Sequence, residues 1–237
     1  KHSPEAICLP YKLILGNFIE AIEGGADYVA MITSPGCCRL GQYGNSIENA
    51  LVDMGYHARY IELSLYDGIK GMYNVLKEIS GKNDPILFAR AINIAIRKMF
   101  LLDDLEENLA YYRAREINQG DADKHYAKAL QYIKDVEHSR DLKRAKKLAF
   151  DEMKKVKIDE KKEVLKVDLT GEIYLVCDAF SNQNITKELG KMGVQVRRSL
   201  TVSSFIKDAI IPKVFRDGET HLQRAYRLAK PYLMRDI

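Results

Sequence analysis

Residues 7–43 read ICLPYKLILGNFIEAIEGGADYVAMITSPGCCRLGQY, and this stretch holds three of the four cysteines of a 237-residue chain. Leu9-Pro10 ends any incoming strand or loop. Leu13, Phe18, Ile19 and Ile22 then recur at helical spacing up to the Gly24-Gly25 stop. The six residues from Tyr28 to Thr33 form a short continuous apolar run, the pattern of a strand buried on both faces of a parallel sheet. It leads straight into Ser34-Pro-Gly-Cys-Cys-Arg-Leu-Gly. Open α/β sheets carry their functional groups at the carboxyl ends of parallel strands, which is where Cys37 and Cys38 fall. Cys8, on its own loop, can reach the same rim.

Downstream, Ile47, Leu51 and Met54 mark a helix ending at Gly55, Ala58 to Leu65 reads as a second strand, and Ile69 to Ile79 as a helix closed by Gly81. Strands alternating with helices of about ten residues predict right-handed βαβ units. From Asp84-Pro85 the pattern lengthens: Ile86, Phe88, Ile92, Met99, Leu102 and Leu105 give a broad apolar helical face, and 122–157 is rich in Lys alternating with Asp or Glu. The stretch from Lys166 to Cys177 is expected to return to strand, followed by a helix near 185–192, a short strand at Val194, and a helical tail from Ser203 to Met234. The expected fold is therefore α/β with Rossmann-like parallel sheet halves, residues 1–84 and 166–237, and a long helical insertion at 85–165. That insertion would serve as a lid, spacer or dimerisation arm. The chain enters its first motif almost at once, so the expectation is that a preceding part of the first domain is missing.

Composition bounds the possibilities further. A 46% hydrophobic content supports a sizeable core, and no apolar run is long enough to cross a bilayer or resembles a secretory leader. A cytoplasmic location is expected. Four cysteines, two of them adjacent, do not make a disulfide scaffold for a domain this large, which leaves reduced thiols or metal ligation. The net charge is +4, and 121–166 alone holds 14 Lys and Arg against 10 Asp and Glu, the same excess. A nucleic-acid binder would show a more one-sided patch, so no nucleic-acid or membrane partner is expected. The five histidines lack metal-ligand spacing, and neither G-x-x-x-x-G-K-S/T nor G-x-G-x-x-G occurs, so no nucleotide site is expected.

The motifs Cys8-Leu-Pro-Tyr-Lys-x-x-x-Gly-Asn, Gly-Ala-Asp before the first strand, and Gly36-Cys-Cys-Arg-Leu-Gly-Gln-Tyr-Gly44 resemble the acyl-CoA dehydratase activase-related proteins, relatives of the cluster-carrying subunits of 2-hydroxyacyl-CoA dehydratases. A second block, from Gly171 through Cys177-Asp-Ala-Phe-Ser-Asn to Arg198, is similar to a later part of the same family. The resemblance implies an iron–sulfur cluster, 4Fe-4S or double-cubane, held by Cys8 and Cys38. Cys177 would be a third ligand and Cys37, at a position usually not cysteine, a reserve. It implies an ATP-hydrolysing activator as partner and passage of a low-potential electron to a CoA thioester or another small substrate, by a dehydratase-like lyase or a cluster-dependent reductase of anaerobic metabolism. Lys12 and Arg39 would balance the charge of a cluster or phosphate, and Gly36, Gly41 and Gly44 would let backbone amides approach it or simply make turns. Asp178 would cap a turn or handle a proton.

Two other readings stay open on the residues alone. One is an interaction or scaffold module whose insertion docks a homo- or heterodimeric partner and whose cysteines are inherited without a role. The other is a thiol redox enzyme using Cys37-Cys38, disfavoured because a bridge between neighbours is strained and no C-x-x-C is present.

Overall fold

The computed structural model describes residues 6–33, 39–64 and 68–207. It is a mixed α/β protein, mostly helical, with two small parallel two-stranded sheets among the described residues and one long central helix. The chain divides into two compact units that part between Lys82 and Asn83.

In the first unit, α1 (Leu9–Glu23) starts with Pro10 in its first turn and ends at Gly24, where Gly25 takes a positive φ of 96°. Four residues then reverse the chain into β1 (Tyr28–Thr33). A 3-10 turn at Arg39–Gln42 leads into α2 (Tyr43–Asp53), then β2 (Arg59–Ser64) and α3 (Gly68–Ser80). The strands are parallel, in register from Tyr28 opposite Arg59 to Thr33 opposite Ser64. Tyr11 and Leu15 of α1 and Ile47, Ala50 and Leu51 of α2 pack on Val29 and Met31 to make the core.

That core covers one face of β1 only, which corrects the expectation of a strand buried on both sides. Burial alternates strictly along it, and Tyr28 and Ile32 are 56% and 54% exposed. An all-apolar strand reads the same whether one face or two is covered, because the sequence records hydrophobicity and not what lies opposite.

The second unit is built on α4 (Pro85–Arg115), 31 residues and about 46 Å at 1.5 Å per residue. Asp84 caps it, accepting the N–H groups of Ile86 and Leu87 at 2.9 and 3.0 Å. Leu101, Leu105 and Leu109 pack on Ala129 and Ile133 of α5 (Asp121–Lys134) and on Ala149 and Met153 of α6 (Ser139–Met153). The other side of α4 meets a small βαβ element: β3 (Lys166–Leu169), α7 (Ile173–Cys177), α8 (Ile185–Lys191) and β4 (Gln195–Arg198), followed by α9 (Val202–Phe205). Arg198 of β4 pairs with Glu106, and Arg115 donates to Gln195 Oε1 at 2.8 Å.

Here the structure corrects a second expectation. The strand ends at Leu169, and 173–177 is helical because the Glu172 carboxylate accepts the Leu175 N–H at 3.0 Å and so caps a new helix. Cys177 closes a helix rather than a strand. Of the tail expected to be helical from Ser203, residues 208–237 lie outside the described residues.

Two tests of this packing follow from burial. Leu105, fully buried, should lose about 3 kcal/mol of stability on substitution by Ala, whereas Ile86→Ala at a 65% exposed position should change it by less than about 0.5 kcal/mol, both read by urea unfolding. Glu152, 4% exposed, is held below its ordinary pKa by Lys155 at 2.5 Å and by His125 at 2.9 Å. A carboxyl depressed in the folded state stabilises it at neutral pH, and that contribution fades as pH falls through the carboxylate range. Unfolding curves between pH 7 and pH 3 should therefore show a shallower acid loss for Glu152→Gln than for the parent chain.

Candidate functional site

The reversal at Gly24–Asp27 sends β1 back alongside α1, so the start of the helix lies at the end of the strand. Cys8 occupies the N-cap position of α1, half-buried and unbridged. Arg39, first residue of the 3-10 turn after β1, brings Nη1 to 4.0 Å from Cys8 Sγ, the outer limit of an N–H···S contact. Tyr43 begins α2 beside it. A hydrogen bond from Tyr43, then the bond and charge of Arg39, hold the Cys8 thiol below its usual pKa against the opposing effect of desolvation.

Tyr43 is fixed from behind. Its ring meets that of Tyr11 edge to face, centroids 5.2 Å apart, and the Tyr11 hydroxyl donates to the Ser46 carbonyl at 3.1 Å. Beneath lies Tyr60, whose buried hydroxyl has no hydrogen-bond partner among the described residues and whose pKa is pushed up to about 12, chiefly by burial and then by Glu62 and Glu48. Its oxygen occupies the space that a Cβ on Gly44 would need, at 2.6 Å. At the strand end the Thr33 hydroxyl donates to Glu62 Oε1 at 2.6 Å.

The anticipated site residues distribute as follows. Cys8 and Arg39 come together, Gly41 is buried in the adjoining turn, and Lys12 is exposed on α1 one turn beyond Cys8. Gly36, Cys37 and Cys38 lie outside the described residues, as does the loop from Ser34. Cys177 belongs to the second unit, where its sulfur sits 3.9 Å from the Leu200 carbonyl and burial pushes its thiol up, favouring the protonated form. Asp178 accepts the Ser181 N–H at 2.7 Å and so caps the turn after α7. Among the described residues no three His, Cys, Asp or Glu side chains come close enough to hold a metal ion.

Compared with known proteins, the chain matches no family model, no curated protein and no solved structure. What its rim can do chemically therefore rests on the residues themselves. A thiol at a helix start, with a phenol and a guanidinium turned to its sulfur, is a soft donor disposed toward the thiolate. Tyr11, Tyr43 and Tyr60 were not singled out by sequence. The first two stand inside the quoted motifs, but nothing in their spacing says that they support a sulfur atom.

Replacing Tyr43 by Phe should raise the pH at which Cys8 becomes reactive, because the leading stabiliser of its thiolate is gone. The rate of iodoacetamide labelling against pH, in chains whose other three cysteines are Ser, measures this; an unchanged midpoint would remove Tyr43 from the site.

Proposed function

We propose that this is an iron–sulfur protein of the kind its motifs resemble, related to 2-hydroxyacyl-CoA dehydratase components, in which Cys8 and Cys38 are cluster ligands. The observation that supports the proposal is the approach of Arg39 to Cys8, since Cys38 precedes Arg39 directly in the chain. Soft thiolates suit iron, and the donor chemistry of Cys8 fits. Cys177 is the third candidate, although iron would first have to displace its proton. Cys37 remains the reserve. In finer terms we read residues 1–84 and 166–237 as Rossmann-like halves, with the α4 to α6 stretch as the helical insertion that interrupts them in the sequence.

A cluster bound there would supply low-potential electron transfer to a CoA thioester or another small substrate, with an ATP-hydrolysing activator as the electron source. The chain's own part is to hold Cys8 at the helix start, to place the Arg39 charge against the sulfur, and to fix Tyr43 through Tyr11. Lys12, one turn along α1 from Cys8, and Gly41, in the turn that carries Arg39, would contribute charge and a backbone amide.

The burial of the Cys177 thiol favours a second reading, an interaction module without cofactor. Anaerobic reconstitution of the full chain separates the two. Iron and acid-labile sulfide should copurify with a brown protein, and Cys8→Ser or Cys38→Ser should abolish the charge-transfer absorption. A colourless, metal-free chain whose thermal midpoint is unchanged when Cys8, Cys38 and Cys177 are all Ser would sink the cluster and leave the module.

A further inference from the structure

The open side of β1 is apolar along its whole length. Tyr28, Ala30 and Ile32 all face it, and all three are exposed. The parallel register sets Arg59, Ile61 and Leu63 of β2 beside them on the same side of the sheet. Arg59 pairs with Glu78 of α3, and Ile61 and Leu63 are half-buried, so α3 lies over β2 and leaves β1 bare. The helix is itself incompletely covered: none of its residues is fully buried, and Ile69 and Ile79 are 49% and 50% exposed. A shelf therefore runs beside α3, floored by β1, which pairs only with β2 among the described residues. Packed helices lie about 8–10 Å apart and neighbouring strands about 4.8 Å, so the next helix along from α3 would sit over β1 and its free edge.

A segment of this chain has the length and the pattern for that place. The second unit ends at Phe205, and Ile206 already belongs to the first. Residues 208–237 lie outside the described residues, but their sequence carries a helix signature. Thr220-His-Leu-Gln223 has the spacing of a capping box, in which Thr starts a helix and Gln three residues on completes the cap. Leu222, Ala225, Tyr226 and Ala229 follow at i, i+3, i+4 and i+7. Gln223, Arg224, Arg227 and Lys230 fall on the opposite side, and Pro231 ends the run. The pattern predicts a helix over 221–230, about 15 Å long, with one narrow apolar face. β1, six residues and about 20 Å, offers a floor of matching length. The linker from 208 to 220 reaches up to about 45 Å when extended, so it does not restrict where along the strand the helix lands.

We infer that the helix of 221–230 docks on the open side of β1, beside α3, with Leu222, Ala225, Tyr226 and Ala229 against Tyr28, Ala30 and Ile32 and its basic side to water. The residues that follow the second unit thereby close the sheet of the first, on the side opposite α1 and α2. The docking uses neither Cys8 nor Arg39, so it stands or falls apart from any iron ligation.

Hydrogen–deuterium exchange of the full chain, read by mass spectrometry at low micromolar concentration, tests this. Amides of 221–230 should exchange about tenfold to a hundredfold more slowly than an unstructured peptide of the same sequence. Ile32→Asp, at a half-exposed position, should bring them to within about threefold of that peptide, while the amides of α2 on the other side of the sheet keep their protection. Ala225→Asp should in turn quicken exchange in β1, and because it alters no residue of the described fold it carries the test even if Ile32→Asp loosens the sheet. Arg227→Asp, on the basic side, should change neither segment. Tail amides as fast as those of the free peptide, β1 exchange unmoved by Ala225→Asp, or the same loss with Arg227→Asp would each overturn the docking. Protection that appears only as the concentration rises, with a doubled mass in light scattering, would give the shelf to a second copy of the chain and overturn it as well.

Discussion

Tyr11 and Tyr43 meet edge to face in the dry interior of the first unit, and that contact ties the start of α1 to the start of α2. Both helices begin at the end of β1 where the motif loop leaves, so the ring pair sets the distance across the rim. An aromatic pair of this kind contributes about 0.5–1.5 kcal/mol beyond its burial. Here its larger effect is positional. With Tyr11 fixed, Cys8 three residues earlier has little freedom, and with Tyr43 fixed its hydroxyl stays on the sulfur. The unusual thiol is a product of the core beneath it, not of the loop that carries it.

The second unit is organised differently, around one helix that serves two neighbours at once. The leucines of α4 at 101, 105 and 109 make an ordinary apolar seam with α5 and α6, while Glu106, Arg113 and Arg115 on other faces engage β4, α5 and α8 through charge and close packing. Gly190 of α8 is part of this: a Cβ there would run into the Arg113 side chain, which its bond to Asp123 keeps from yielding. The seam holds the unit together, and Glu106 and Arg113 on the polar side line a cavity of about 410 Å³ between α4 and the chain from the end of α7 to α9.

Much of the first unit was legible in the chain. The helices and strands of that unit follow from apolar spacing and from Gly25, Gly55 and Gly81, all three at positive φ where the chain turns, although α2 starts at Tyr43, one turn before the Ile47 that opens its apolar stripe. The misreadings have physical causes. The residues Ile-Tyr-Leu-Val at 173–176 are as suited to a strand as to a helix, and a single carboxylate, Glu172, decides the matter by capping. Tyr28 and Ile32 look buried because they are apolar, while burial depends on what the rest of the fold brings to that side. Of the site, Arg39 was singled out for its charge and does reach Cys8. The cavity beside α4 left no trace in sequence, since its walls come from segments some eighty residues apart.

Tyr60 carries a hydroxyl that is sealed from water and bonds to nothing among the described residues, against the nearly universal habit of buried polar groups. Such an orphan costs about 1–3 kcal/mol, and the ring is accepted because Gly44 yields the room it fills. Shape has therefore taken precedence over bonding at the base of the rim. The two positions form a lock in which a larger residue at 44 and a full-length phenol at 60 exclude each other, so residue 44 can grow only if the side chain at 60 shortens or moves.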